Sequence, residues 1–220
     1  MLPPRSGTVS RLNAAWLKVV ENPWIDRTIA LAAVLQFAWL TYVRLRSGFD
    51  LPRLMLALQG LIFIGTMIVR KSPARISTNP WIWLLTFVET YWIVLVFAFL
   101  TRGSPLVPNW VSATLATIGA AVIVWARLWL GRSIGLVPAL RTLVTHGPYR
   151  FVRHPIYAGG SLVMIAAVLR AYSPLNLAMI ALGIFWFVLK TLAEESFLIS
   201  DADYAKYVQE VRWRWIPGVV

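Results

Sequence analysis

Residues 81–100 read WIWLLTFVETYWIVLVFAFL, twenty residues with Glu89 as their one charged side chain. A run this long and this apolar reads as a membrane span rather than as a helix of a soluble core. Five further apolar runs accompany it, at Thr28–Val43, Leu54–Val69, Trp110–Leu130, Ile156–Leu169 and Leu175–Leu189. The whole chain agrees: 59% of its 220 residues are hydrophobic and only 14% charged, too apolar for a soluble domain of this length. Lysine and arginine outnumber aspartate and glutamate 21 to 9, for a net charge of +12. Beside 12 tryptophans and a mean hydropathy of +0.68, this basicity fits cytoplasmic loops better than a nucleic-acid surface. The absence of cysteine excludes disulfides, thiolate nucleophiles and cysteine metal sites. With His146 and His154 as the two imidazoles, no metal site is expected.

The fold class expected is therefore an all-α integral membrane protein of about six transmembrane helices. Several runs are short, since sixteen helical residues cover roughly 24 Å against a hydrocarbon core of about 30 Å. The fifth and sixth runs are separated by Arg170–Pro174 alone and predict a helical hairpin, held close by Gly159, Gly160, Ser161 and Gly183. Six alternating spans put sixteen of the lysines and arginines on one side and five on the other. Both termini and the loop 131–153 are thereby expected in the cytoplasm. Apolar residues at helical spacing between Val9 and Val20 predict an interfacial helix in a cytoplasmic segment 1–24. Residues 25–130 then hold four spans. Residues 131–220 form the chemical region: a loop 131–155, the hairpin 156–190 and a cytoplasmic segment 191–220. Trp24, Trp81, Trp83, Trp110 and Trp129 lie near span ends and read as interfacial anchors.

The loop from Arg141 reads RTLVTHGPYRFVRHPIYAGG. Tyr149, Arg153, His154 and Tyr157 bring hydroxyls, a guanidinium and an imidazole within nine residues, just ahead of a helix opened by Pro155. Such a loop either contacts lipid phosphates as a positive-inside connection or shapes a pocket for an anionic group. A second polar cluster follows the sixth run: Lys190, Glu194, Glu195, Asp201, Asp203, Tyr204 and Tyr207, ending in RWRWIPG. Lys190 and Glu194 share one helical face if the span continues. Acids at a membrane boundary need solvation or partners, which the basic loop on the same side can supply.

GPYRFVRHPIY, followed about 40 residues later by EESFL and DYAKY, resembles the isoprenylcysteine carboxyl methyltransferase family, which is related to the phospholipid methyltransferases. The likeness runs from about Arg127 to Val220. It implies an integral membrane enzyme that binds S-adenosylmethionine in a cytoplasm-facing pocket and methylates a lipophilic acceptor drawn from the bilayer. Carried over by position, the implied cofactor contacts are Arg141, Thr142, Leu143, Val144, Tyr149, His154, Pro155, Ile156, Tyr157 and Glu194. Lys190 stands where relatives carry a substrate-associated arginine, and Arg141 where eukaryotic members can carry histidine. Lysine is a point charge without arginine's planar fork, so the first departure bears on the acceptor.

Methyl transfer from a sulfonium asks mainly for alignment and exclusion of water. A carboxylate acceptor needs no general base, whereas an ammonium or hydroxyl needs a proton acceptor. Arg153 is assigned an electrostatic role in placing the cofactor or the acceptor carboxylate. Glu195 is assigned beside it as catalytic, with a structural salt bridge to a loop arginine as the alternative. Tyr149 and Tyr157 read as cofactor packing or as interfacial aromatics, and Tyr204 and Tyr207 as docking the C-terminal helix onto the loop. Glu89 is either paired, with Arg127 as one partner, or part of a substrate path. The leading reading is a carboxyl-directed methyltransferase. An amine-directed phospholipid type and a non-catalytic lipid- or cofactor-binding protein are the alternatives. Membrane lipids and the acceptor are the expected partners.

Overall fold

The computed structural model describes residues 16–18, 20, 22–46, 51–99 and 103–219. The helices are α1 (Pro23–Arg46), α2 (Leu51–Ile68), α3 (Pro80–Phe99), α4 (Asn109–Leu130), α5 (Pro155–Arg170), α6 (Pro174–Leu198) and α7 (Ala202–Glu210). Over the described residues, each apolar run of the sequence falls within one of the first six to within a residue. Among the described residues, three segments are long and apolar enough to cross a membrane, Leu51–Ile68, Asn109–Ser133 and Pro174–Leu198, while Arg27–Val43 and Pro155–Arg170 are shorter. The expected interfacial helix lies mostly outside the described residues.

Local chemistry starts the helices where it should. Pro155 and Pro174 open α5 and α6 at positions whose missing N–H has no intrahelical partner in any case. The Ser173 hydroxyl accepts from the Asn176 backbone N–H at 3.1 Å, and the Asp201 carboxylate from that of Tyr204 at 3.1 Å. Helix α6 runs on through Lys190 to Leu198, eight residues past the predicted end of the hairpin, and so carries both acids of the EE pair.

Glycine decides how the helices pack, and here the assignment of Gly159 to the hairpin contact is corrected. A β-carbon at Gly159 would lie 2.5 Å from the Gly119 carbonyl oxygen, and one at Gly119 2.6 Å from that of Gly159. Gly159 thus serves the α4–α5 contact rather than the hairpin. Its neighbour Gly160 faces Phe187 on α6, and Gly183 faces Met164 on α5. Adjacent helical residues project about 100° apart, so two consecutive glycines serve two different partners.

The connections sort into two ends. At one, β1 (Arg75–Ile76) pairs antiparallel with β2 (Ala139–Leu140), and Lys71 N–H donates to the Arg132 carbonyl at 2.9 Å. At the other, Ser104 N–H donates to the Tyr172 carbonyl at 3.0 Å, with the return bond at 2.8 Å. The loop 131–145 is therefore tied by main-chain bonds to the α2–α3 connection. Large apolar side chains such as Leu31, Trp39, Leu61 and Phe185 are exposed on the outside, while Glu89, Arg127, Lys190 and Asn176 are buried inside. This is the distribution of a bundle meant for lipid. Trp81 and Trp110 are 75% and 71% exposed, as anchors should be. Trp83, expected among them, is 4% exposed; it donates to the Ser77 carbonyl at 2.5 Å and packs edge-on against Trp16.

Candidate active site

A cavity of about 780 Å³ opens where the loop 133–145, the start of α5 and the end of α6 meet. That volume lies in the upper part of the roughly 300–1,000 Å³ usual for small-molecule sites. Its walls change character along its length. One end is lined by the loop and by Asp201, Asp203 and Tyr204; the other by Phe37, Leu40, Phe63, Ile123, Val163 and Phe187 from the helices of the bundle.

The loop residues Arg141, Thr142, Leu143 and Val144 line the polar end. They are held from outside the loop: Arg141 Nε donates to the Lys71 carbonyl at 3.2 Å, and the Lys71 ammonium donates to the Thr142 hydroxyl at 2.9 Å. Tyr149, Arg153, His154, Pro155, Ile156 and Tyr157 reach the same cavity from the turn before α5 and its first residues. Gly147 makes that turn at φ 61°, and a β-carbon there would strike the Trp129 ring. Burial pushes the Tyr149 phenol well above its ordinary range against the pull of the Arg127 guanidinium, so it stays protonated. The Tyr207 hydroxyl donates to the Tyr149 carbonyl at 2.6 Å, which docks α7 on this turn. Burial likewise raises the phenols of Tyr204 and Tyr207.

The two adjacent acids of α6 part company. Glu194 lines the cavity; its Oε1 accepts from the Tyr157 hydroxyl at 2.9 Å and lies 3.7 Å from the Lys190 ammonium one turn earlier. Glu195 is not among the residues lining the cavity. Its Oε1 accepts from Arg153 Nε at 2.7 Å and its Oε2 from Arg214 Nε at 2.8 Å. His154 spans the pair, with Nε2 3.1 Å from Glu195 and Nδ1 3.7 Å from Glu194, and stacks on the Tyr157 ring.

Arg153 completes a clamp on the C-terminal tail. Its Nη1 donates to the carbonyls of Val211 and Arg212 at 2.7 and 2.8 Å. The backbone N–H groups of Arg153 and His154 donate to the carbonyls of Trp213 and Arg214, and Trp215 Nε1 donates to the Thr191 hydroxyl at 2.9 Å. The RWRW segment thus lies as a strap over the motif.

Lys190, the expected acceptor contact, is 1% exposed, and its ammonium donates to the Thr86 hydroxyl and the Leu136 carbonyl, each at 2.6 Å. Five further polar side chains reach the cavity from the first four helices: Gln36, Gln59, Glu89, Thr90 and Arg127, with Glu89 accepting from the Thr90 hydroxyl at 3.2 Å. Sequence reasoning weighed Glu89 and passed over the glutamines. Each interrupts an otherwise apolar run, and that was the available signal.

Residues 109–201 match the protein family described as phospholipid methyltransferase. The match begins with α4 and ends at Asp201, taking in the loop, the RHPIY segment and both acids of α6. The resemblance read from these motifs is thereby borne out, through a family related to the isoprenylcysteine carboxyl methyltransferases. The matched part is less than half of the chain, and α1 to α3 lie outside it. No curated protein matches the chain. The family implies a membrane methyltransferase, in agreement with the apolar helices.

Proposed function

We propose that the protein is an S-adenosylmethionine-dependent methyltransferase of the membrane, whose acceptor is a lipophilic molecule bearing a carboxylate. The observation that carries this reading is one cavity lined both by the polar motif residues and by bundle side chains that are mostly apolar, interrupted by Gln36, Gln59, Glu89 and Arg127. An amphiphile needs both surfaces in one continuous site. The donor set also suits the cofactor. Glu194, Asp201 and Asp203 are carboxylates at the polar end for a cationic ligand, and Tyr149 and Tyr157 are flat apolar faces with protonated or hydrogen-bonded phenols.

S-adenosylmethionine brings an activated methyl group on a sulfonium, so the chain's residues have only to bind, align and exclude water. Arg141, Thr142, Leu143 and Val144 would bind it from the loop, together with Tyr149, His154, Pro155, Ile156, Tyr157 and Glu194, all of which line the cavity. Tyr157 and Lys190 hold Glu194 in place. Arg153 and Glu195 act as positioning residues in this scheme: together they fasten the C-terminal strap onto the turn before α5, whose residues line the cavity. Lys190 contributes positive potential where the polar and apolar parts meet, and orients Glu194. A carboxylate acceptor attacks without a base. The amine-headgroup reading is favoured by the phospholipid methyltransferase match and would require Glu194 or Glu89 to take up a proton. The excess of lysine and arginine on the loop side supports a cytoplasm-facing site.

The test is incubation of the purified protein with methyl-labelled S-adenosylmethionine and a lipid extract, followed by base treatment. Volatile label identifies a methyl ester, as expected. Base-stable label establishes the amine or hydroxyl reading instead. Absence of both cofactor binding and label rejects the enzyme.

A further inference from the structure

We infer that Arg127 is the oxyanion receptor of the cavity, meeting an acidic group, carboxylate or phosphate, carried by the lipophilic acceptor. The inference rests on the proposed methyl transfer for its word acceptor, but not for the anion site itself.

Arg127 sits in the last turn of α4 and is 8% exposed. Its guanidinium carbon lies 4.5 Å from the ring centre of Phe63 and 5.6 Å from that of Phe37. Packing on aromatic faces restrains the planar fork while leaving its edge free for bidentate bonds. The Nε has no hydrogen-bond partner, and no acid among the described residues forms an ion pair with Arg127. A buried guanidinium without a counterion is costly, and the residue lines the cavity. It is an arginine prepared for a partner that the chain does not provide.

The other charged groups nearby are committed elsewhere. Glu194 is engaged by Tyr157 and Lys190, and the Lys190 ammonium by Thr86, Leu136 and Glu194. Glu89 accepts from Thr90 and acts on Arg127 only through space, beyond ion-pair distance. The position with spare capacity is therefore on α4 rather than at Lys190. Ile123, Phe63 and Val163 line the same cavity, so a chain attached to the bound anion has apolar walls to follow.

The experiment compares dodecanoate, dodecyl phosphate and dodecanol binding to the full chain in detergent, with S-adenosylmethionine affinity measured in parallel. Wild-type protein should prefer one or both anions to the alcohol by about ten- to hundredfold, the worth of a charge-assisted contact. A preference for carboxylate alone or for phosphate alone identifies which oxyanion the site takes. Arg127→Gln should abolish the preference and Arg127→Lys should keep part of it, with unchanged cofactor affinity. Equal binding of all three probes to wild type overturns the inference, as does a preference that survives in Arg127→Gln. A lower melting temperature in Arg127→Gln with the preference intact assigns the residue to packing on Phe37 and Phe63. A cofactor-only defect assigns it to the cofactor's carboxylate; either result overturns the proposal. Anion preference in a wild-type protein that fails to bind S-adenosylmethionine sustains the receptor and defeats the methyltransferase reading.

Discussion

The clamp around Glu195 and the cavity wall around Glu194, consecutive residues of α6, use the same kinds of residue to opposite ends. In the clamp, both carboxylate oxygens of Glu195 are taken by arginines, and the Arg153 guanidinium by Glu195 and two carbonyls. On the wall, Glu194 borders the cavity with one oxygen held by Tyr157 and Lys190, and Arg127 keeps an unpartnered Nε. Saturated polar groups make a scaffold because any change leaves a buried partner stranded. Unsaturated ones beside a cavity have capacity for a ligand. Neighbouring acids in sequence can therefore have unrelated duties.

Five substitutions bear on this contrast. Glu195→Ala should have the largest effect, because it strands the buried Arg153: a loss of about 3–5 kcal/mol, read as a fall in melting temperature in detergent together with loss of cofactor binding. Glu194→Gln keeps an acceptor for the Tyr157 hydroxyl but removes the acid beside the buried Lys190, so it should lower the melting temperature less than Glu195→Ala and weaken S-adenosylmethionine by about 1.5–3 kcal/mol, a tenfold to hundredfold change by calorimetry. If the two variants unfold alike, the distinction between scaffold and wall fails. Gly159→Val would drive side-chain carbons into the Gly119 carbonyl and Ile123, and overpacking of this kind costs about 1–3 kcal/mol. Its unfolding should shift while Gly65→Val, at a glycine with open space around it, stays near wild type. Tyr207→Phe, which removes one bond to the Tyr149 carbonyl, should cost about 0.5–1.5 kcal/mol and be detectable as faster proteolysis of the C-terminal tail.

The membrane class, the six apolar runs and the motif were legible because they depend on local properties: hydropathy, proline placement and the spacing of charged residues. Lys190 and Glu194 on one face followed from helical periodicity, and they do face one another. The closing RWRW segment was visible as a string of letters but not as a strap, since its partners lie near Arg153 and Thr191. The pairing of residues 75–76 with 139–140 was equally hidden, being main-chain bonds between two short loops without any strand pattern.

Composition and periodicity alone, then, establish a helical membrane bundle with polar groups gathered at one end, and the RHPIY and EE motifs bring residues 109–201 into the range of phospholipid methyltransferases. Which glutamate is locked and which faces the cavity, which of two consecutive glycines joins which helix, and whether Lys190 or Arg127 has a donor to spare were decided by packing. The reason is geometric. A helical side chain's direction turns by about 100° per residue, and whether it finds a partner there depends on segments brought together from 40 to 100 residues away, whose positions no local pattern records.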